Sequence, residues 1–331
     1  MWETESVVSL HKTIMKMMNI KDYRWLTVAL LAFFFSLDAS AQQKNSVTSI
    51  LEVLDTKTGE RKVVKEFNYL IEAPNWTRDG KWIYFNSDGL IYKIDAMGKG
   101  NARLVDTQYL NKCNNDHVLS ADGKWLAVSS SSNASSGWTS YIYVLPVDGG
   151  TPRLVTPYSL SFLHGWSPNG KTLAYCAFRD DSNGGDIYTI PIEGGDEKRL
   201  TDAQGLDDGP EYSPDGRHIW FNSVRTGLMQ VWRMNVDGSK QTQMTFDEER
   251  NAWFPHVSPD GKKVIYLTYR KGDLAPDQHL PNKNVELWMM PARGGKPKMM
   301  IKLFGGQGSL NTNSWAPDSR HIAFVSYRLN N

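Results

Sequence analysis

One short phrase, written six times, constrains this chain more than any other feature. The copies are WTRDGKWIYFNS (76–87), LSADGKWLAVSS (119–130), WSPNGKTLAYCA (166–177), YSPDGRHIWFNS (212–223), VSPDGKKVIYLT (257–268) and WAPDSRHIAFVS (315–326). Each has a polar turn at its centre, then a basic residue and an apolar run that alternates. The turn residues Asp79, Asp122, Asn169, Asp215, Asp260 and Asp318 lie 43, 47, 46, 45 and 58 residues apart. A period in that range marks repeated supersecondary units that cannot bury their apolar faces alone.

Inside one unit the period is two, the spacing of a strand. A second turn follows as VDGG (147–150), IEGG (192–195), VDGS (236–239) or ARGG (292–295). Its glycines supply the positive φ that tight hairpins demand. Each unit therefore reads as four short antiparallel strands with apolar residues on both faces, which requires a neighbour on either side. The fold predicted is all-β: a six-bladed β-propeller with four antiparallel strands per blade. The sixth copy holds only two strands, and SILEVLDTKTGERKVVKEF (49–67) matches the missing pair. The N-terminal strands are thus predicted to close the last blade and remove the open edge.

The first 41 residues follow different chemistry. Lys21 and Arg24 precede the apolar run Trp25–Leu37, and Ala39-Ser40-Ala41 carries small residues where a signal peptidase needs them. The run is shorter than the roughly 20 residues of a membrane span. The reading is a secretory signal peptide cleaved after Ala41, with an uncleaved anchor as the alternative, and a periplasmic or secreted propeller over 42–331. Residues 1–14 read as an upstream extension, with Met15, Met17 or Met18 as alternative starts. A formal net charge of +1 gives no reason to expect nucleic acid as a partner. Cys113 and Cys176 are too few for a zinc cluster and read as two buried thiols or one disulfide.

The phrase SVRTGLMQVWRMNVDG (223–238), together with YSPDGRHIWF, resembles the repeat of the TolB-type β-propellers over residues 46–330. TolB itself carries an α/β domain before its propeller. Here only a few residues separate Gln42 from the first strand, so the resemblance implies the propeller without that domain. Prolyl-oligopeptidase relatives also carry propellers, but the sequence has no G-x-S-x-G elbow, which argues against a serine hydrolase.

In a propeller the inner strand of each blade runs from one mouth of the axis down to the repeated turn. Residues preceding the turns therefore converge on the axis, and the expected ligand site is the mouth where those strands begin. Its candidates are Glu72, Asp116, His117, His164, Trp166, Asp208, Glu211, Trp253, His256 and Asn313, with Trp76, Trp166 and Trp253 as stacking platforms. Polar residues are also expected there for structural reasons alone. Arg179, Arg225, Arg270 and Arg328 share one repeat position and read either as carboxylate-binding groups or as ties within the blades. The 271–284 stretch, KGDLAPDQHLPNKN, accounts for the long fifth interval and is expected over the same mouth.

Two functions follow. The first is a non-catalytic exported module that binds a glycan, peptide or protein partner at the axis. The second is a carbohydrate-active enzyme, either a glycosidase using paired carboxylates or a lyase. Oligogalacturonate lyases are similar in repeat type, and that similarity implies a divalent metal (Mn, Zn or Ca) on His117, His164 and His256.

Overall fold

The computed structural model describes residues 47–133, 139–179 and 184–330, and in it the six copies form six antiparallel propeller blades. The predicted signal peptide lies outside the described residues. The first blade comprises Glu72–Trp76, Trp82–Ser87, Leu90–Asp95 and Arg103–Leu104, hydrogen-bonded in that order from axis to rim. The second to fifth blades repeat the order from the inner strands Cys113–Leu119, Ser161–Trp166, Asp207–Tyr212 and Arg250–Val257. The described residues contain no α-helix, only the 3₁₀ turn Gln307–Ser309.

The repeated turn is built the same way in the first five blades. In the fourth blade Ser213 Oγ donates to Asp215 Oδ1 at 2.6 Å and accepts from the His218 N–H at 3.0 Å. Asp215 Oδ1 also accepts the Arg217 N–H at 3.1 Å. The chain then needs a left-handed residue, supplied by Gly216 at φ 69° and by glycine in the equivalent turns of the first, second, third and fifth blades. The sixth blade departs: Ala316 has no hydroxyl, Ser319 adopts φ 57°, and His321 Nδ1 lies 2.6 Å from Asp318 Oδ2.

Packing between blades is aliphatic and aromatic. Leu51, Ile83, Phe85, Ala323 and Val325 form one cluster at the seam between the sixth and first blades. Trp253, Ile265, Leu267, Trp315 and Phe324 form another between the fifth and sixth. Cys113 and Cys176 are buried free thiols in these layers, so the disulfide alternative falls away.

Closure follows the predicted scheme. Val47–Asp55 pairs with His321–Leu329 over its whole length, from Val47↔Leu329 to Asp55↔His321, and Arg61–Phe67 lies outside it. Two buried carboxylates lock the seam. Glu52 accepts Arg61 Nε at 3.0 Å and Ser326 Oγ at 2.6 Å, and Asp55 accepts Arg320 Nε at 3.0 Å. The innermost strand of this blade is reduced to a bridge between Trp315 and Ile322, because the residues before it turn into the axis. A chain lacking residues 47–60 is expected to show no cooperative thermal transition by circular dichroism. An unchanged midpoint would refute this account of closure.

Candidate functional site

Because every inner strand ends at the same turn, each repeat position becomes one ring around the axis. The second turn residue forms the outermost ring: Arg78, Ala121, Pro168, Pro214, Pro259 and Pro317. The residue just before the turn forms the next: Trp76, Leu119, Trp166, Tyr212, Val257 and Trp315. Asn75, His164, Glu211 and Asn313 lie deepest. Together they line an axial funnel of about 110 Å³ whose rim is the turn face. That is the face opposite the mouth where the strands begin.

A belt of hydrogen bonds holds the floor. Glu211 accepts the Val257 N–H at 2.8 Å and Asn313 Nδ2 at 2.7 Å, and its other oxygen lies 2.6 Å from His256 Nδ1. His256 Nε2 donates to the Leu310 carbonyl at 3.1 Å. Asn75 donates to the Asn313 carbonyl and accepts the Leu119 N–H at 3.2 Å. Every side-chain oxygen and nitrogen of Glu211 and His256 is thereby hydrogen-bonded, so this pair ties the fourth, fifth and sixth blades together.

At the strand-entry end the axis is filled by the chain itself. His164 Nε2 lies 3.2 Å from Asp208 Oδ1 and 3.8 Å from Asp116 Oδ1, and its ring stacks on Phe254 at 5.7 Å. The 271–284 loop brings in His279, whose Nε2 lies 3.8 Å from Asp208 Oδ2 and whose ring meets Trp253 edge-on at 4.5 Å. The segment before the sixth blade enters beside it, where Asn311 Nδ2 donates to Asp116 Oδ1 at 2.8 Å. Gly308 packs on Glu72, where a Cβ would sit 2.5 Å from Oε1, so a larger residue there would displace the Glu72 side chain.

Burial opposes charge throughout this cluster, and the balance differs from group to group. For His164 burial disfavours the cation, but the Asp208 and Asp116 carboxylates outweigh it and raise the pKa. Burial likewise works against the Asp208 carboxylate, yet His164 and His279 pull it down to about 2. Asp116 is raised, chiefly by burial. Burial also pushes Glu72 up to about 7. The result is an internal ion pair, His164 with Asp208, flanked by two reluctant carboxylates.

This architecture has relatives. A TolB beta propeller domain model matches residues 139–279. An uncharacterized protein of Agrobacterium fabrum is 44% identical over 282 residues, 85% of this chain and 93% of that protein. A solved structure from Agrobacterium tumefaciens that is named for TolB superposes with a TM-score of 0.80 at 43% identity, covering 86% of this chain and 99% of the other. The chain belongs to the TolB-like β-propeller family. TolB of Acinetobacter baumannii shares the fold at a TM-score of 0.55 and 16% identity, over 90% of this chain and 69% of that one.

In this TolB-like propeller the residues expected at one mouth separate into different surroundings. Glu72, Asp116, Asp208 and His164 do meet at the strand-entry end, but beneath the 271–284 loop and the segment 306–312. Trp253 is fully buried under Phe254 and His279, so it offers no stacking platform. His117 is fully buried, which pushes its pKa down to about 4, and His256 is spent on Glu211. The three histidines therefore do not fit a shared metal. Among the described residues no three His, Cys, Asp or Glu side chains are placed to hold one.

The arginines turn out to be ties within the blades. Arg179 clasps Glu197, with Nε at 2.6 Å and Nη2 at 2.9 Å from its oxygens, and Arg225 holds Asp207 at 2.5 Å. Arg328 pairs with Glu66 at 3.0 Å, and exposed Arg270 stands 3.8 Å from Glu286. Each carboxylate belongs to the same blade as its arginine.

Trp166, Glu211 and Asn313 were sought at the strand-entry mouth and line the funnel instead. Sequence reasoning missed His279, which sits in an insertion outside the repeat register, and the rim ring. The rim had a signal: one turn position reads Arg, Ala, Pro, Pro, Pro, Pro around the repeat.

A carboxyl with a raised folded pKa contributes its full stability below the unfolded value and loses it as pH rises through the folded one. For Glu72 that window runs from about 4.5 to about 7. Glu72→Gln should therefore gain on the wild type by on the order of 2 kcal/mol between about pH 5 and pH 8. Chemical denaturation of both proteins at the two pH values checks this, and a pH-independent difference would contradict it.

Proposed function

We propose that this TolB-like propeller is an exported, non-catalytic module that binds a segment of a protein partner through the funnel on its turn face. The observation that carries the reading is the funnel's layering. A proline-rich rim leads to a ring holding Trp76, Trp166, Tyr212 and Trp315, above a polar floor whose hydrogen bonds are already made. Rigid aromatic side chains around a narrow concavity suit an inserted side chain, and they lose little entropy on binding. The funnel volume of about 110 Å³ is on the scale of one inserted side chain.

The acid–base groups that a carbohydrate-active enzyme would need, Asp116, Asp208 and Glu72, lie behind the floor and under covering chain. Export is inferred from the basic, apolar and Ala-Ser-Ala succession over residues 21–41. Among the described residues no helix is long and apolar enough to cross a membrane.

The test is selection of a displayed random dodecapeptide library on the purified chain, with affinities measured by fluorescence anisotropy. Trp76→Ala removes an aromatic wall, and Pro214→Trp fills the entrance from outside the core. Each should weaken selected peptides at least about tenfold while the melting temperature stays within a few degrees. Peptides indifferent to both changes, or oligogalacturonides that bind where peptides do not, would defeat the proposal.

A further inference from the structure

The funnel rim is nearly six-fold, and its departures from symmetry are informative. Four of its six positions are proline, at Pro168, Pro214, Pro259 and Pro317, and the two exceptions, Arg78 and Ala121, belong to adjacent blades. Alanine lacks the pyrrolidine ring, so the wall is lowest at Ala121. Arg78 stands beside that gap, exposed, and makes no hydrogen bond or ion pair among the described residues. Arginines at other positions of the repeat are clasped by carboxylates, as Arg179 is by Glu197 and Arg225 by Asp207.

The surface beyond the gap continues the pattern. Lys124 is exposed on the second-blade turn, and next to it Trp125 leaves 42% of its surface in solvent. The nearby turn carboxylates are occupied: Asp79 accepts Thr77 Oγ1 at 2.6 Å and the Lys81 N–H at 3.0 Å, and Asp122 accepts Ser120 Oγ at 2.6 Å and the Lys124 N–H at 3.1 Å. Inside the funnel Glu211 is likewise held by His256, Val257 and Asn313. An incoming carboxylate would therefore find an unpaired guanidinium at the one low point of the rim.

We infer that the partner segment is an extended acidic peptide that leaves the funnel through the gap at Ala121, placing a carboxylate on Arg78 and an apolar side chain on Trp125. This rests on the funnel reading above and adds the direction and charge of its ligand. A guanidinium facing a carboxylate makes two parallel charge-assisted bonds, and an exposed tryptophan beside it supplies apolar contact. The four prolines bar the other exits by bulk and rigidity.

The symmetry also supplies a mild way to close the gap. Proline already occupies this turn position in four blades, and the Ala121 N–H donates to no backbone carbonyl among the described residues. Ala121→Pro should therefore fold normally while completing the wall.

The experiment uses the full chain and peptides selected from the random dodecapeptide library. Selected peptides should be enriched in Asp and Glu. Arg78→Glu and Ala121→Pro should each weaken them about tenfold or more, with melting temperatures unchanged, and a repeat selection on Arg78→Glu should return Lys- or Arg-bearing peptides. If peptides lack carboxylates, or bind Arg78→Glu and Ala121→Pro as well as wild type while Trp76→Ala still abolishes binding, the exit path is wrong and the funnel reading stands. If Trp76→Ala is also without effect, both fall.

Discussion

The structure depends on one pairing between the two ends of the described chain. Val47–Asp55 lies between His321–Leu329 and Arg61–Phe67, so the sheet that would have been the first edge becomes the middle of the last blade. A propeller blade is apolar on both faces and stays in water only if both faces are covered. Without this strand the sixth blade would be too narrow to cover the first, and one seam of the ring would face solvent. The buried carboxylates Glu52 and Asp55, each meeting an arginine, fix its register. A slip by one residue would turn every apolar side chain to the wrong blade.

Closure also explains how a short repeat builds a site. Once six similar units face one axis, each position of the phrase becomes a ring, and the funnel is the phrase read radially. Symmetry makes the walls: proline in the turn, an aromatic or aliphatic residue before it. Individual character arises where copies differ, at Arg78 and Ala121 on the rim and at Asn75, His164, Glu211 and Asn313 on the floor. The last blade differs most, because its first strand gives way to a segment that enters the axis and bonds to Asp116 across it.

That segment and the 271–284 loop divide the axis into two regions with different physics. Toward the turns, the hydrogen bonds of Asn75, Glu211 and Asn313 are made, and Trp76 and Tyr212 stay partly exposed. Toward the strand starts, His164 and Asp208 form an ion pair under covering chain, with Asp116 and Glu72 held above ordinary carboxylate values by burial. Buried charge of this kind is costly to break and contributes order to the axis more than it contributes reactivity.

Much of this was written in the amino-acid order. Period, alternation and turn chemistry are local properties, and they determined the strands, the blade count and the N-terminal closure. Glu72, Asp116, His164 and Asp208 all precede a turn on an inner strand, which is local, but they stand at three different repeat positions and meet because each of these strands carries a register shift. Which end of the axis would be open was not local. It turned on where a fourteen-residue insertion folds and where the chain before Trp315 goes, and both are decided by contacts between residues far apart, such as His279 with Trp253 and Asn311 with Asp116. For Arg179 and Arg225 the sequence left two roles open, and the partners that decide for ties, Glu197 and Asp207, stand 18 residues away in the chain. The sequence alone determined the ring, and only the tertiary structure decided which face of it is open, because an opening is whatever distant segments of chain leave uncovered.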